Sequence, residues 1–99
     1  MTEAERTAAI EKVKTSIRTT TEDANLTDEI GRLIDAAIAD MNIAGITGSK
    51  AVITDPLYLT AVTLFVKKYF GAPEEFDRIR AAYDEMKLQL RMNSEYTTW

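Results

Sequence analysis

Ninety-nine residues, 45% apolar and 28% charged, suit one globular domain and leave no length for a second core. A net charge of −4, with acids and bases interleaved, argues against an electrostatic grip on nucleic acid or on an anionic membrane. With neither cysteine nor histidine, the chain can form no disulfide, thiolate nucleophile or cysteine-based zinc site, and it lacks the commonest acid/base and metal ligand.

The opening "MTEAER" is too acidic and polar for a secretion signal. Thr2 followed by Glu5 reads as a capping box, so a helix is expected to start here. Ala9 or Ile10, Val13 and Ile17 fall at helical spacing. Acids come early and Lys12, Lys14 and Arg18 late, which suits the helix dipole. The apolar stripe is narrow, so this helix is expected at the periphery. "TTTEDAN" then reads as a loop.

A second helix is expected from about Asn25 or Thr27. Leu26, Ile30, Leu33/Ile34, Ala37/Ile38 and Met41 form a three-four ladder, with Arg32, Asp35 and Asp40 off it. It should end near Asn42, with Gly45 just beyond. "NIAGITGSKAVIT" has two glycines and no helical period. It reads as a loop, with a short β-hairpin possible in residues 43–54, turning at Gly48-Ser49.

The third helix has sharp boundaries. Asp55 is a natural N-cap, Pro56 suits the first helical position, and Gly71 is a natural stop. Its polar side is a strip of Thr60, Thr63 and Lys67, and nearly everything else is apolar. Such a helix must be surrounded. After a tight turn, Pro73 opens a fourth helix, with Glu74, Glu75 and Asp77 at its positive end. Phe76, Ile79, Tyr83, Met86 and Leu90 form its apolar seam. The helix should fray near Met92-Asn93, and residues 94–99 read as an extended or flexible tail after a single domain over 1–93. The longest apolar run, Leu57 to Val66, contains Thr60 and Thr63 and falls far short of a membrane span.

Chemistry is hard to place on this chain. Adjacent acids such as Glu74-Glu75 and Asp84-Glu85 point about 100° apart on a helix and do not converge on one atom. Ser16, Ser49 and Ser94 have no histidine to activate them, and the adjacency of Ser49 and Lys50 is weak evidence for a serine–lysine pair. "GITGSK" places serine before lysine, against the order of a phosphate loop. The sequence therefore points away from an enzyme. It gives no catalytic, cofactor-binding or metal-ligating residues.

What remains are surfaces. Lys67/Lys68 and Arg78/Arg80 are basic clusters that could touch an acidic partner or phosphates without reading sequence. Tyr69 and Phe70 end the apolar helix. Tyr96 and Trp99 are large aromatics on a polar tail, either a frayed end or anchors for another chain. These eight residues are the candidate interface.

The helix order, the "LTDEIGRLIDAAIADM" segment and the "DPLYLTAVTLFVKKYFG" helix resemble the head–tail connector family of long-tailed bacteriophages, also called adaptor or DNA-packaging proteins. Leu33, Ile34, Ala36, Ala37 and Ile38 carry the likeness, together with Asp55, Pro56, Leu59, Ala61, Val62, Leu64, Val66, Tyr69 and Phe70. It covers roughly residues 8 to 91. Many members carry arginine or asparagine soon after the aromatic pair, whereas this chain has "YFGAPEEF".

The resemblance implies an all-α four-helix bundle around a central third helix. It implies self-assembly into a ring of about a dozen copies. That ring would dock on the portal, extend the DNA channel and offer a platform for the next neck or tail-completion protein. DNA would pass through without sequence-specific binding. The place would be the virion's head–tail junction, after assembly in the host cytoplasm, with no membrane partner. By position, residues 94–99 would be the extension that engages the portal. The rival reading is a small helical DNA-binding or regulatory accessory protein, which the charge balance disfavours.

Overall fold

The computed structural model describes residues 2–17, 24–70 and 73–98. Arg18, residues 19–23 of the loop expected over 19–25, the Gly71 stop and Trp99 lie outside them, and Ala24 and Asn25 of that loop are already helical. Four helices form in chain order: α1 (Glu3–Ser16), α2 (Ala24–Ile43), α3 (Pro56–Lys67) and α4 (Phe76–Arg91). The fold is all-α, a four-helix bundle, with no strand among the described residues.

Local chemistry explains most boundaries. The Thr2 hydroxyl accepts the Glu5 amide (3.1 Å) and the Glu5 carboxylate accepts the Thr2 amide (2.8 Å), so the capping box closes. At the end of α2 the Gly45 amide donates to Asn42 O and the Ile46 amide to Met41 O. That pair of bonds defines a Schellman stop, and Gly45 has the φ of 91° it requires. Its hydrophobic partners, Met41 and Ile46, are both buried. Asp55 caps α3 by accepting the Tyr58 amide (3.0 Å), with Pro56 behind it.

Helix α3 is the central post. It packs against α1, α2 and α4. Tyr58, Ala61, Val62, Phe65 and Val66 are buried, and Leu59 and Leu64 pack partly against the same core. Its polar strip keeps two hydroxyls satisfied locally, Thr60 on Pro56 O and Thr63 on Leu59 O, both 2.8 Å. From α2 come Ile30, Ile34, Ala37 and Met41, and from α4 Ile79, Tyr83 and Leu90. Helix α1 is peripheral as its stripe implies, burying Ala9, Val13 and most of Lys14.

Five expectations need correction. The third helix ends at Lys67, and residues 68–70 follow as tight turns, Tyr69 N–H to Val66 O and Phe70 N–H to Lys67 O. Pro73–Glu75 is a 3-10 turn, so α4 proper starts at Phe76. Phe76 is itself exposed, since it lies at the helix mouth beyond the reach of the core.

The loop over 43–54 forms no hairpin. Its partner is the C-terminal segment: Gly48 N–H donates to Tyr96 O and Lys50 N–H to Glu95 O, both 3.0 Å. The tail is accordingly not extended into solvent. Tyr96 and Thr97 are buried, at 4% and 7% exposure, so the core continues past residue 93.

Candidate functional site

Two places concentrate polar and aromatic side chains. The first is the corner where the end of α3 meets α4 and α2. Neighbouring residues on a helix point about 100° apart, and this separates the two lysines. Lys67 lines a groove between α1 and α3 with Lys12, Ser16, Thr60 and Thr63. Lys68 turns the other way, onto rings. Its Nζ lies 4.3 Å from the Phe65 centroid, 5.0 Å from Tyr83 and 5.4 Å from Tyr69. The rings pack edge-on at 5.4 Å (Phe65–Tyr83) and tilted at 5.6 Å (Phe65–Tyr69).

Asp40 lies within electrostatic range of this cation. Its Oδ2 accepts from the Tyr83 hydroxyl (2.6 Å) and from Lys87 Nζ (3.1 Å). Burial pushes the Asp40 carboxyl up, but the bonds from Tyr83 and Lys87 and the charges of Lys87 and Lys68 outweigh it, so its pKa falls. Burial pushes the Lys68 amine down, against the pull of Asp40 and Asp84. The Tyr83 phenol is held far above its ordinary value, first by burial and then by its bond to Asp40. No buried side-chain nitrogen or oxygen among the described residues lacks a hydrogen-bond partner. The corner joins α2, α3 and α4 through Asp40, Lys68, Tyr83 and Lys87.

That surface includes much of the predicted interface. Tyr69 is 55% exposed and Phe70 is half-buried. Arg80 is exposed on α4 and near enough to weaken the Lys68 charge. Arg78 is exposed as well but points back to Glu75, 3.2 Å away. So Lys68 lies against Tyr69 with Arg80 within electrostatic range of it, whereas Lys67 lines the α1–α3 groove and Arg78 pairs with Glu75.

The second place is the tail clamp. Asp55 Oδ2 accepts both the Tyr58 amide and the Tyr96 hydroxyl (2.8 Å), so one carboxylate caps α3 and fastens the tail. Burial and that bond push the Tyr96 phenol up to about 12. Lys50 pairs with Glu95, and the Thr47 and Thr98 hydroxyls lie 2.9 Å apart. Asn93 shapes the approach, its Oδ1 accepting the Glu95 amide (2.9 Å) and its carbonyl the Tyr96 amide (3.0 Å). A Cβ at residue 48 would lie 2.5 Å from Thr97 N and 2.6 Å from Tyr96 C, so only glycine admits the tail. Tyr96 is therefore an internal anchor.

Sequence reading missed Asp40, Lys87, Gly48 and the second task of Asp55. One signal existed. A tyrosine inside an apolar seam, as at Tyr83, needs a partner for its hydroxyl, and an off-ladder acid on a neighbouring helix is the natural one. No described helix is long and apolar enough to cross a membrane, and the described residues hold no cluster of three or more metal-ligating acids.

A family model described as "Phage connector protein" matches residues 10–97, from within α1 through the buried tail. Comparison with curated proteins and with solved structures finds no significant match.

Proposed function

The chain belongs to the phage connector family, and on that premise we propose that it is a structural subunit of the head–tail connector, joining copies of itself into a closed ring that docks on the portal. The ring has about a dozen members in head-to-tail contact. It extends the DNA channel and offers a platform to the next neck or tail-completion protein. Its place is the head–tail junction of the virion. It works by shape and contact rather than by catalysis.

The observation that carries this reading is the family match, which runs over almost the whole described fold. The surface chemistry supports it. Lys68 lies against the exposed Tyr69 ring and Arg80 is exposed on α4, and exposed tyrosine and arginine are the residue types that anchor protein interfaces. Phe70 borders it, and Lys67 and Arg78 offer separate polar contacts. Trp99 supplies a last aromatic for a partner chain. A net charge of −4 suits a channel that lets DNA slide.

The test is mass in solution against concentration, with particle shape read by negative-stain microscopy. Rings, or a steep rise toward a large oligomer, are expected. Tyr69→Ala combined with Arg80→Glu should raise the concentration needed for assembly about tenfold or more, with helicity unchanged. Assembly unaffected by both changes would remove this surface from the interface. Salt-sensitive duplex binding by a chain that never assembles would favour a DNA-binding accessory protein.

A further inference from the structure

Helix α3 keeps one side open. Thr60, Thr63 and Lys67 fall on one line along it, flanked by the half-buried Leu59 and Leu64. With Lys12 and Ser16 of α1 they line a groove of about 400 Å³. Both threonine hydroxyls donate to their own helix, at Pro56 O and Leu59 O, so this side of α3 favours apolar contact. The rims are cationic. Lys12 and Lys67 line the groove and no acid does, and neither lysine has an ion pair among the described residues.

Helix α4 carries the matching face. At about 100° per residue, Ala81, Leu88 and Met92 fall within about 40° of one another, on the side opposite the buried Ile79, Tyr83 and Leu90. Leu88 is 52% and Met92 80% exposed. Two apolar lines on opposite sides of one helix suit two neighbours, and the fold of the chain covers only one of them. Exposed Asp77, Asp84 and Glu85 flank the outward line, and none of the three has an ion pair among the described residues. Arg80 and Arg91 lie farther round the helix.

The two surfaces lie on different sides of the subunit, since α1 and α4 both pack on α3 rather than on each other. A head-to-tail ring needs such an unlike pair, whereas one self-complementary patch gives a closed dimer. We propose that the outward face of α4 of one copy lies in the α1–α3 groove of the next. Ala81 and Leu88 meet Leu59, Leu64 and the threonines, while Asp77 and Glu85 meet Lys12 and Lys67. Alanine at residue 81 lets the two helices approach closely. The occupant is a second copy because an apolar floor with cationic rims is answered by an apolar line with anionic flanks on the same chain. Closure of these contacts into a ring rests on the connector reading; the contact itself joins any two copies.

A charge exchange tests the contact. One variant carries Lys12→Glu with Lys67→Glu, and the other carries Asp77→Lys with Glu85→Lys. Asp84 is left in place because it lies within electrostatic range of Lys68. The four altered residues have no ion pair among the described residues, so helicity by circular dichroism should match the parent. Each variant alone sets like charges across the contact and should need about tenfold or more protein to assemble. Mixed in equal amounts, the two offer acid to base at every contact, and assembly should return toward the parent's concentration. Variants that assemble alone as the parent does overturn the contact, as does a mixture no better than either variant. Parent rings alongside either result leave the connector reading standing. Pairs or open chains restored in the mixture, without closed rings, keep the contact and remove the ring. A parent that stays monomeric at every concentration overturns the contact.

Discussion

Helix α1 runs 14 residues with a closed capping box, yet it buries only Ala9, Val13 and most of Lys14. The C-terminal segment past Asn93 has no helix at all, yet it buries Tyr96 and Thr97 and ties itself to the body through backbone, phenol and ion pair. The link from α1 to α2 includes a bidentate pair, Arg6 to Asp35 at 2.6 and 3.1 Å, on a solvent-exposed face. Regular structure and anchorage are thus separate properties. Periodicity measures how a segment holds itself together, and burial measures how firmly the fold holds the segment.

The contrast can be broken by mutation at either end. The largest effect is expected for Tyr96→Ala, which empties a buried aromatic site and leaves Asp55 without one of its donors. A loss of about 3 to 5 kcal/mol in denaturant unfolding is expected, the range for truncating a buried aromatic. Gly48→Ala comes next. Its methyl group meets backbone atoms of Tyr96 and Thr97, which cannot rotate away. A cost of about 1 to 3 kcal/mol is expected, with faster hydrogen exchange at the Lys50 amide.

Tyr96→Phe keeps the ring and removes only the bond to Asp55, about 1 kcal/mol at neutral pH. Its sharper signature is pH. The phenol is raised from an ordinary 10.0 to about 12, so its contribution is complete below about pH 10 and lost as the pH rises through about 12. Unfolding curves of Tyr96→Phe should fall less steeply across that window than those of the parent. A residual slope should remain, because Tyr83 is raised in the same direction. The smallest effect is expected for Arg6→Ala. Its partner Asp35 is exposed, so the loss should stay below about 1 kcal/mol in thermal melts and shrink further with salt.

Much of the fold was readable because helices announce themselves through spacing and caps. Asp55-Pro56, Gly45 and the Ile79–Tyr83–Leu90 seam each have a local physical cause, and each appears where expected. Phe76 shows where spacing stops deciding burial, since a residue on the right face still falls outside the core when it lies at the first turn of its helix. The tail was not readable. Its burial depends on pairing residues 48–50 with 95–96, a long-range match with no period and no side-chain code beyond a lone glycine. The candidate surface was legible only as residue types. Exposed Tyr69 and Arg80 stood out as types, but the adjacency of Lys67 and Lys68 suggested one edge where the helix makes two.

The contrast between the two ends also bears on function, because a tail fastened into the core serves its own fold before it serves a partner. The most direct test of the connector reading is electron microscopy of the portal protein from the same phage, with and without this chain. The account predicts an added ring of density at the end of the portal channel, with cyclic symmetry and with the four-helix domain recognisable in each subunit. Portal particles that remain bare at saturating concentrations of a folded chain would contradict it.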